Sequence, residues 1–408
     1  MTGTACDVLI AGGGMVGASL AVALGNLPLH VTLVESIPPG VAGQPSFDAR
    51  TTALSRSSQH ILAALDIWPS VSGQASPIER IHVSERGRFG TSVIDAAEEG
   101  GEPLGYVVEN RLLGAALWKK LEGLPGITLR SPATVTSVSG TADGLAVSVR
   151  DGNGTVQEVS TRLLVVADGA RSALRQALGV TARSRSYDQV AIVGNVAVRE
   201  GRGAPGIGVQ AYERFTPDGP LALLPAGPGR YVFILTRRTD AAPSIAALAD
   251  ADFLDLLQRE FGFRLGRFLK VGTRYSYPLE LVEAGAVTAH RVAIIGNAAH
   301  GLHPVAGQGY NLGLRDVAAL AELIASAVGD PGAPELLSRY AAWRRPDQRN
   351  VVAFTDGLVR LFDRSGLGPL RGIGLQLFDT VPGAKGWLAR RTMGLAGARS
   401  RLSRGLPL

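Results

Sequence analysis

The stretch from Cys6 to Glu35, CDVLIAGGGMVGASLAVALGNLPLHVTLVE, constrains the fold more than any other part of the chain. An apolar run, Val8–Ala11, leads into Gly12-x-Gly14-x-x-Gly17. An alanine-rich run of helical character follows, then a second apolar run, Val31–Val34, ending at Glu35. In this strand–turn–helix–strand setting a G-x-G-x-x-G predicts a unit that binds an ADP-containing cofactor. Gly12 makes the tight turn, Gly14 lets the backbone approach a pyrophosphate, and Gly17 lets helix and strand pack closely. The helix N-terminus offers free N–H groups and a partial positive charge to the phosphates. Glu35 stands where an acid binds the ribose hydroxyls. No Asp, Glu, Lys or Arg lies between Asp7 and Glu35, yet neither a membrane span nor a signal peptide fits. The first basic residue is Arg50, and a spanning helix would have to hold Gly12, Gly13, Gly14, Gly17, Gly25 and Pro28.

A chain of 408 residues is long for one core, so two intertwined or sequential domains are expected. With 46% hydrophobic and 19% charged residues it reads as a soluble globular enzyme, not as disorder. The single cysteine, Cys6, excludes an intrachain disulfide and a multi-cysteine metal site, and no metal is expected. The net charge of +6 has a local origin. From Val381 onward there are Lys385, Arg390, Arg391, Arg399, Arg401 and Arg404 and no acid, and the remaining 35 basic residues balance 35 acids. Two readings of this tail are open. It rests on an anionic membrane surface with Trp387, Leu388 and Leu395 touching lipid, or it is solvated and partly helical with no partner. No aromatic-interleaved basic patch in the body suggests nucleic acid. The expected compartment is the cytoplasm, with peripheral contact at the inner face of the membrane.

Strands are expected at Ile81–Ser84, Ile127–Leu129, Ala133–Ser139 and Leu145–Arg150, with a hairpin turn at Asp151–Gly154. Leu163–Ala167 reads as a buried parallel strand. Ala191–Val198, Gly208–Phe215, Leu221–Leu224 and Tyr231–Thr236 read as an antiparallel sheet, and Val292–Ile295 as another buried strand. Helices are expected at Ser57–Leu65, Val107–Leu121, Ile245–Phe261 and Leu312–Ala327. The order predicts an α/β Rossmann-like domain interrupted by an antiparallel-sheet α+β substrate domain, with a helical C-terminal tail. The boundaries are 1–77, 102–180 and 289–354 for the cofactor domain, 78–101 and 181–288 for the substrate domain, and 355–408 for the tail.

Two further segments carry chemistry. In VVADGARSALR (165–175) a strand runs into D-G-x-x-S-x-x-R, and in GNAAHGLHPVAGQGYNLG (296–313) a strand ends in a Gly-rich loop that opens a helix. Both set backbone amides at the C-terminal ends of parallel strands, where open α/β sheets bind ligands. Together with the first glycine motif, in this order, they resemble the class A flavin-dependent aromatic hydroxylases of the p-hydroxybenzoate hydroxylase-like fold. The resemblance spans nearly the whole chain. It is closest to the ubiquinone-biosynthesis hydroxylases of the 2-polyprenyl-6-methoxyphenol hydroxylase type, through FDARTTALS (47–55), HVSERGRFG (82–90), LGYVVEN (104–110), YERFTPDGPLALLP (212–225), GNAAHGLHPVAGQGYNLGLRD (296–316) and TDGLVRLF (355–362).

The resemblance implies that Gly12, Gly14, Gly17 and Glu35 hold the ADP half of FAD. It also implies that Arg50 and Arg111 approach the cofactor from a loop and a helix, and that Asp168 and Gly169 lie near the pyrophosphate and the NAD(P)H path. Most of the superfamily has Gly-Asp where this chain has Gly296-Asn297. The Asn still accepts a ribityl hydrogen bond, without the charge, and it matches the methoxyphenol branch. The loop Pro304–Asn311, including Gly307, Gln308 and Gly309, would present N–H groups to the negative edge of the reduced flavin. His303, before Pro304, is a candidate general base or a structural histidine; His300 shares that ambiguity. Arg214, on the sheet expected to cover the ring, counters flavin charge or pairs with a sheet carboxylate.

The implied reaction is hydroxylation of a polyprenylated methoxyphenol ring in ubiquinone biosynthesis, using NADPH or NADH and O2 through a flavin C4a-hydroperoxide. Other ubiquinone-biosynthesis proteins are candidate partners. Two rivals stay open: an FAD-dependent isoprenoid reductase or epoxidase on the same fold, and a non-catalytic dinucleotide-binding scaffold subunit.

Overall fold

Apolar runs without polar alternation require burial on both faces. In the computed structural model, which describes residues 4–41, 50–199, 208–302, 308–327, 329–363 and 383–408, the runs of this kind form one parallel sheet. Its strands lie in the order Val292–Ile294, Val156–Val166, Thr4–Ala11, Val31–Val34 and Ile127–Arg130, each parallel to its neighbour. Val8, Leu9 and Ile10 have no exposed surface. Val156–Val166 is long enough to serve twice. Its first half pairs antiparallel with Leu145–Asp151, which pairs with Ala133–Gly140, and its second half joins the parallel sheet. Helices Met15–Leu24 and Gln308–Ser326 pack against each other over this sheet.

A nine-stranded, mostly antiparallel sheet forms the second layer. It runs from His300–Gly301 through Tyr275–Ala284, Ala182–Val198, Arg230–Arg238, Leu221–Pro225, Gln210–Phe215 and Arg80–Glu85 to Thr91–Asp95, with Phe268–Val271 also paired to Ala182–Val198. One face packs Tyr212, Leu223, Phe233 and Leu235 against Phe253, Leu257 and Phe261 of helix Asp250–Phe261. The other face looks into the molecule's large cavity. A three-stranded sheet of Thr51–Ser55, Gly105–Glu109 and Ser76–Ile78 lies beside it.

Several elements depart from expectation for physical reasons. The helix expected over 107–121 begins only at Asn110, because Tyr106, Val107 and Val108 pair as a strand with Leu54, Ala53 and Thr52. The helix expected over 245–261 is two helices, Ala242–Ala246 and Asp250–Phe261. Arg274 holds the break by donating to the Leu248 carbonyl at 2.6 Å. Ala182–Val198 starts nine residues before the apolar stretch that marked it; its polar first half pairs with Glu280–Ala284 across a bulge near Asp188. Leu388 and Leu395, lipid-facing in one of the two readings of the tail, are partly buried against the cluster of Ile94, Leu104 and Met393, while Trp387 stays 55% exposed. No described helix is long and apolar enough to cross a membrane.

Candidate active site

The glycine loop is shaped by clashes that only glycine avoids. Gly12 sits at φ +107°, where a Cβ would lie 2.5 Å from the Ala167 carbonyl oxygen. A Cβ on Gly17 would lie 1.9 Å from the Gly12 oxygen. Gly14 is the N-cap of Met15–Leu24 in extended conformation and offers no side-chain cap, so the first turn keeps its N–H groups for a ligand. Glu35 ends the second strand and is 8% exposed. One of its oxygens accepts from the Gly13 amide at 2.6 Å and the other from the Ile37 amide at 2.8 Å. A carboxylate has about four lone-pair sites, so acceptor capacity remains for ribose hydroxyls.

From this loop a cavity of about 1480 Å³ runs along the C-terminal ends of the parallel strands and onto the nine-stranded sheet. That exceeds the roughly 300–1,000 Å³ of an ordinary small-ligand site. Gly12, Gly14, Glu35, Arg50, Asp168, Gly169, Asn297, Gln308, Gly309 and Asn311 all line it. His303, Pro304 and Gly307 lie outside the described residues. Asp168 stands at the rim, where desolvation pushes its carboxyl above the usual value against hydrogen bonds from Ser172 and Leu174. The Asn297 side chain is exposed to the cavity. A Cβ at Gly309 would meet no protein atom within 4 Å, so the N-terminal turn of Gln308–Ser326 presents backbone to open space. The Asn311 amide is already committed: its oxygen accepts from the Ser55 amide at 2.8 Å and the Ser58 hydroxyl at 2.7 Å, and its nitrogen donates to Ala53 at 2.8 Å. Asn311 therefore fixes the strand Thr51–Ser55 against the helix, and a ligand would meet other atoms. These residues fit an extended dinucleotide: a glycine-loop helix N-terminus, an acid at the second strand, and a second helix N-terminus at the far end.

Three expected site residues do not reach the cavity: Gly17 serves the packing of helix on strand, and Arg111 and Arg214 point elsewhere. Arg111 is exposed and paired with Glu109 at 2.9 Å. Because the helix starts at Asn110, Asn110 turns inward and Arg111 outward. Arg214 points to the opposite face of its strand, donating to the Glu260 carbonyl at 3.0 Å and the Ser84 hydroxyl at 3.2 Å. The two-residue period of a strand puts its neighbour Glu213 into the cavity instead. Burial pushes the Glu213 carboxyl up to about 7.

A buried ionic hub supports the far end of the site. Asp316, with no exposed side-chain surface, accepts from His300 Nε2 at 2.5 Å, Arg344 Nε at 2.8 Å, Gln348 Nε2 at 2.9 Å and the Gly296 amide at 3.3 Å. Burial alone would raise its carboxyl, but the charges and hydrogen bonds of His300 and Arg344 win and hold it well below the usual carboxylate range. His300 is thus a buried partner of Asp316, 2% exposed, and not a cavity base. The segment quoted from the sequence ended on Asp316, but nothing in it showed that Asp316 and Arg344 would meet.

Comparison with known proteins adds to this geometry. The FAD binding domain family matches residues 5–355. The chain is 40% identical to ubiquinone hydroxylase UbiL of Rhodospirillum rubrum, over all of this chain and 95% of that protein. It is 32% identical to 3-demethoxyubiquinol 3-hydroxylase of Escherichia coli, over 91% of this chain and 93% of that one. The fold superposes with TM-score 0.78 on p-nitrophenol 4-monooxygenase PnpA of Pseudomonas putida, at 17% identity over 97% of this chain and all of that one. The chain belongs to the FAD-dependent ubiquinone-biosynthesis hydroxylases.

Proposed function

We propose that this protein hydroxylates the aromatic ring of a polyprenylated methoxyphenol, using NAD(P)H and O2. The observation that carries the reading is the single cavity joining the dinucleotide end at Gly12 to an apolar sheet face bearing Val83, Ala222, Ile234 and Val193. FAD, held by the glycine loop, Glu35, Asp168–Gly169, Asn297 and the Gln308 helix N-terminus, supplies hydride acceptance and oxygen activation. The chain's own residues orient the ring, exclude water and provide fixed dipoles. The apolar lining suits a ring with a lipid tail. Trp387, which both lines the cavity and is exposed, carries Arg391 stacked on its ring at 5.0 Å beside the exposed Arg390. We place the contact with an anionic membrane there, at the entrance a lipid-tailed substrate would use.

The test is NAD(P)H-dependent oxygen consumption by the yellow protein, with and without a prenylated methoxyphenol. Stimulated uptake with hydroxylated product is expected. Substrate turnover without oxygen uptake would mark a reductase, an unmodified ring with an oxidised tail an epoxidase, and protein that cannot be loaded with FAD a scaffold. Any of the three overturns the reading.

A further inference from the structure

Glu213 is an anomaly in the sheet that walls the cavity. The register aligns a row of side chains across five strands on the cavity face: Val83, Glu213, Ala222, Ile234 and Val193. Four are aliphatic or alanine, and the carboxylate stands among them. Its flanking neighbours in the strand, Tyr212 and Arg214, are spent on the helix side of the sheet. Among the described residues Glu213 has neither a hydrogen-bond nor an ion-pair partner, and burial is the sole cause of its shifted titration. Among the described residues the other titratable or charged groups on the cavity walls are Glu35, Arg50, Asp168, Arg171 and Tyr310 on the dinucleotide side, Tyr277 and Glu280 on the strand Tyr275–Ala284, and Tyr212, which borders the cavity beside Glu213. None of them is paired with Glu213. An unpaired carboxylate in an apolar wall costs folding stability or takes up a proton, and such a group on a cavity wall points to a ligand it would meet.

We propose that Glu213 accepts the hydroxyl hydrogen of the substrate phenol, orienting the ring and acting as the base that raises its electron density. The inference rests on the phenol reading above. In this step the phenol O–H bond breaks and a carboxyl O–H bond forms. The electron pair left on oxygen passes into the ring and makes its ortho and para carbons more nucleophilic toward electrophilic oxygen, and no external oxidant is consumed in the proton transfer itself. Burial helps, since a carboxylate whose titration lies near 7 is a stronger base than one in water.

The experiment uses FAD-loaded wild type, Glu213→Gln and Glu213→Asp, with a short-chain prenylated 2-methoxyphenol and its methyl ether, which has no hydroxyl hydrogen to give. Binding is read from perturbation of the flavin spectrum, and kcat/KM for hydroxylated product from about pH 5.5 to 9. Wild type is expected to favour the phenol over the ether and to gain activity with pH up to an inflection near 7. Glu213→Gln is expected to retain FAD, to lose that inflection, to bind phenol and ether alike, and to lose on the order of 10²-fold in kcat/KM. Glu213→Asp should keep a weakened inflection. A Glu213→Gln protein with the wild-type pH profile and the wild-type preference for phenol would overturn the inference while leaving the hydroxylase reading intact. Wild type that neither binds nor hydroxylates the phenol would overturn both.

Discussion

Two carboxylates at opposite ends of the cavity show how environment sets a residue's work. Glu35 holds the glycine loop from below, through the Gly13 and Ile37 amides. Glu35→Gln replaces one of these acceptors with an NH2 group facing an N–H. FAD affinity should fall about tenfold or more, ~1.4 kcal/mol, as read by equilibrium dialysis of the flavin, while phenol preference is unchanged in whatever fraction stays loaded. Glu213 has the opposite relation to stability. Folding raises its titration, so the folded state holds the proton more tightly and stability falls as the pH rises from about 4.5 through about 7. Glu213→Gln should therefore melt at a higher temperature than wild type at pH 8, by at most ~3 kcal/mol of stability, and equally at pH 4. Equal melting temperatures at pH 8 would show that water in the cavity already solvates the acid. The sequence drew attention to Arg214 and passed over Glu213 for a definite reason. A strand's alternation tells which residues share a face, but both faces of this sheet are covered, one by a helix and one by the cavity. Charge alone could not say which face was which.

The helix Gln308–Ser326 joins ligand and core in one element: its first turn meets the cavity and its middle carries Asp316. Removing that carboxylate leaves Arg344 buried without its main partner. Asp316→Ala should cost about 3–5 kcal/mol, measured by chemical denaturation. The depressed titration of Asp316 means that its contribution is complete above about pH 4 and fades as the pH falls toward its much lower folded value. Acid unfolding of wild type and Asp316→Asn should converge on going below pH 4. This helix also shows what patterns can and cannot reveal. Its apolar body from Leu312 was readable, but Gln308–Asn311 read as loop because Gly and Asn are weak helix formers and only tertiary burial holds them. Likewise Asn110 opens a helix directly after a strand with no intervening turn, so a helical period laid over 107–121 swallowed the strand and misdirected Arg111.

At the scale of the molecule, the unbroken apolar strands and the glycine loop were legible because burial on both faces and left-handed backbone leave direct marks in the sequence. The strand Tyr275–Ala284 was not, since half its residues are polar or exposed and its identity comes from pairing with Ala182–Val198. The C-terminal segment left two readings open in a similar way, its leucines being equally suited to lipid and to the protein's own surface. What stays outward is Trp387 with Arg390, the half-buried Arg391 stacking on the Trp387 ring. Replacing both arginines by glutamate should lower sedimentation with anionic liposomes, by about 1 kcal/mol per residue at low salt, and leave FAD bound. Unchanged sedimentation would remove the membrane contact from the proposal.

The strand Thr4–Ala11 sits between Val31–Val34 and Val156–Val166, so one of its edges finds a partner some ~150 residues further along the chain. Until that stretch arrives, a strand whose half from Val8 to Ala11 is wholly apolar carries an open row of hydrogen-bonding groups, the arrangement from which chains most readily stick to one another. Production of this protein is therefore a race between closing its own sheet and aggregating. Slower synthesis, or a chaperone that shields the waiting edge, should do more for soluble yield than any change at the surface of the finished molecule.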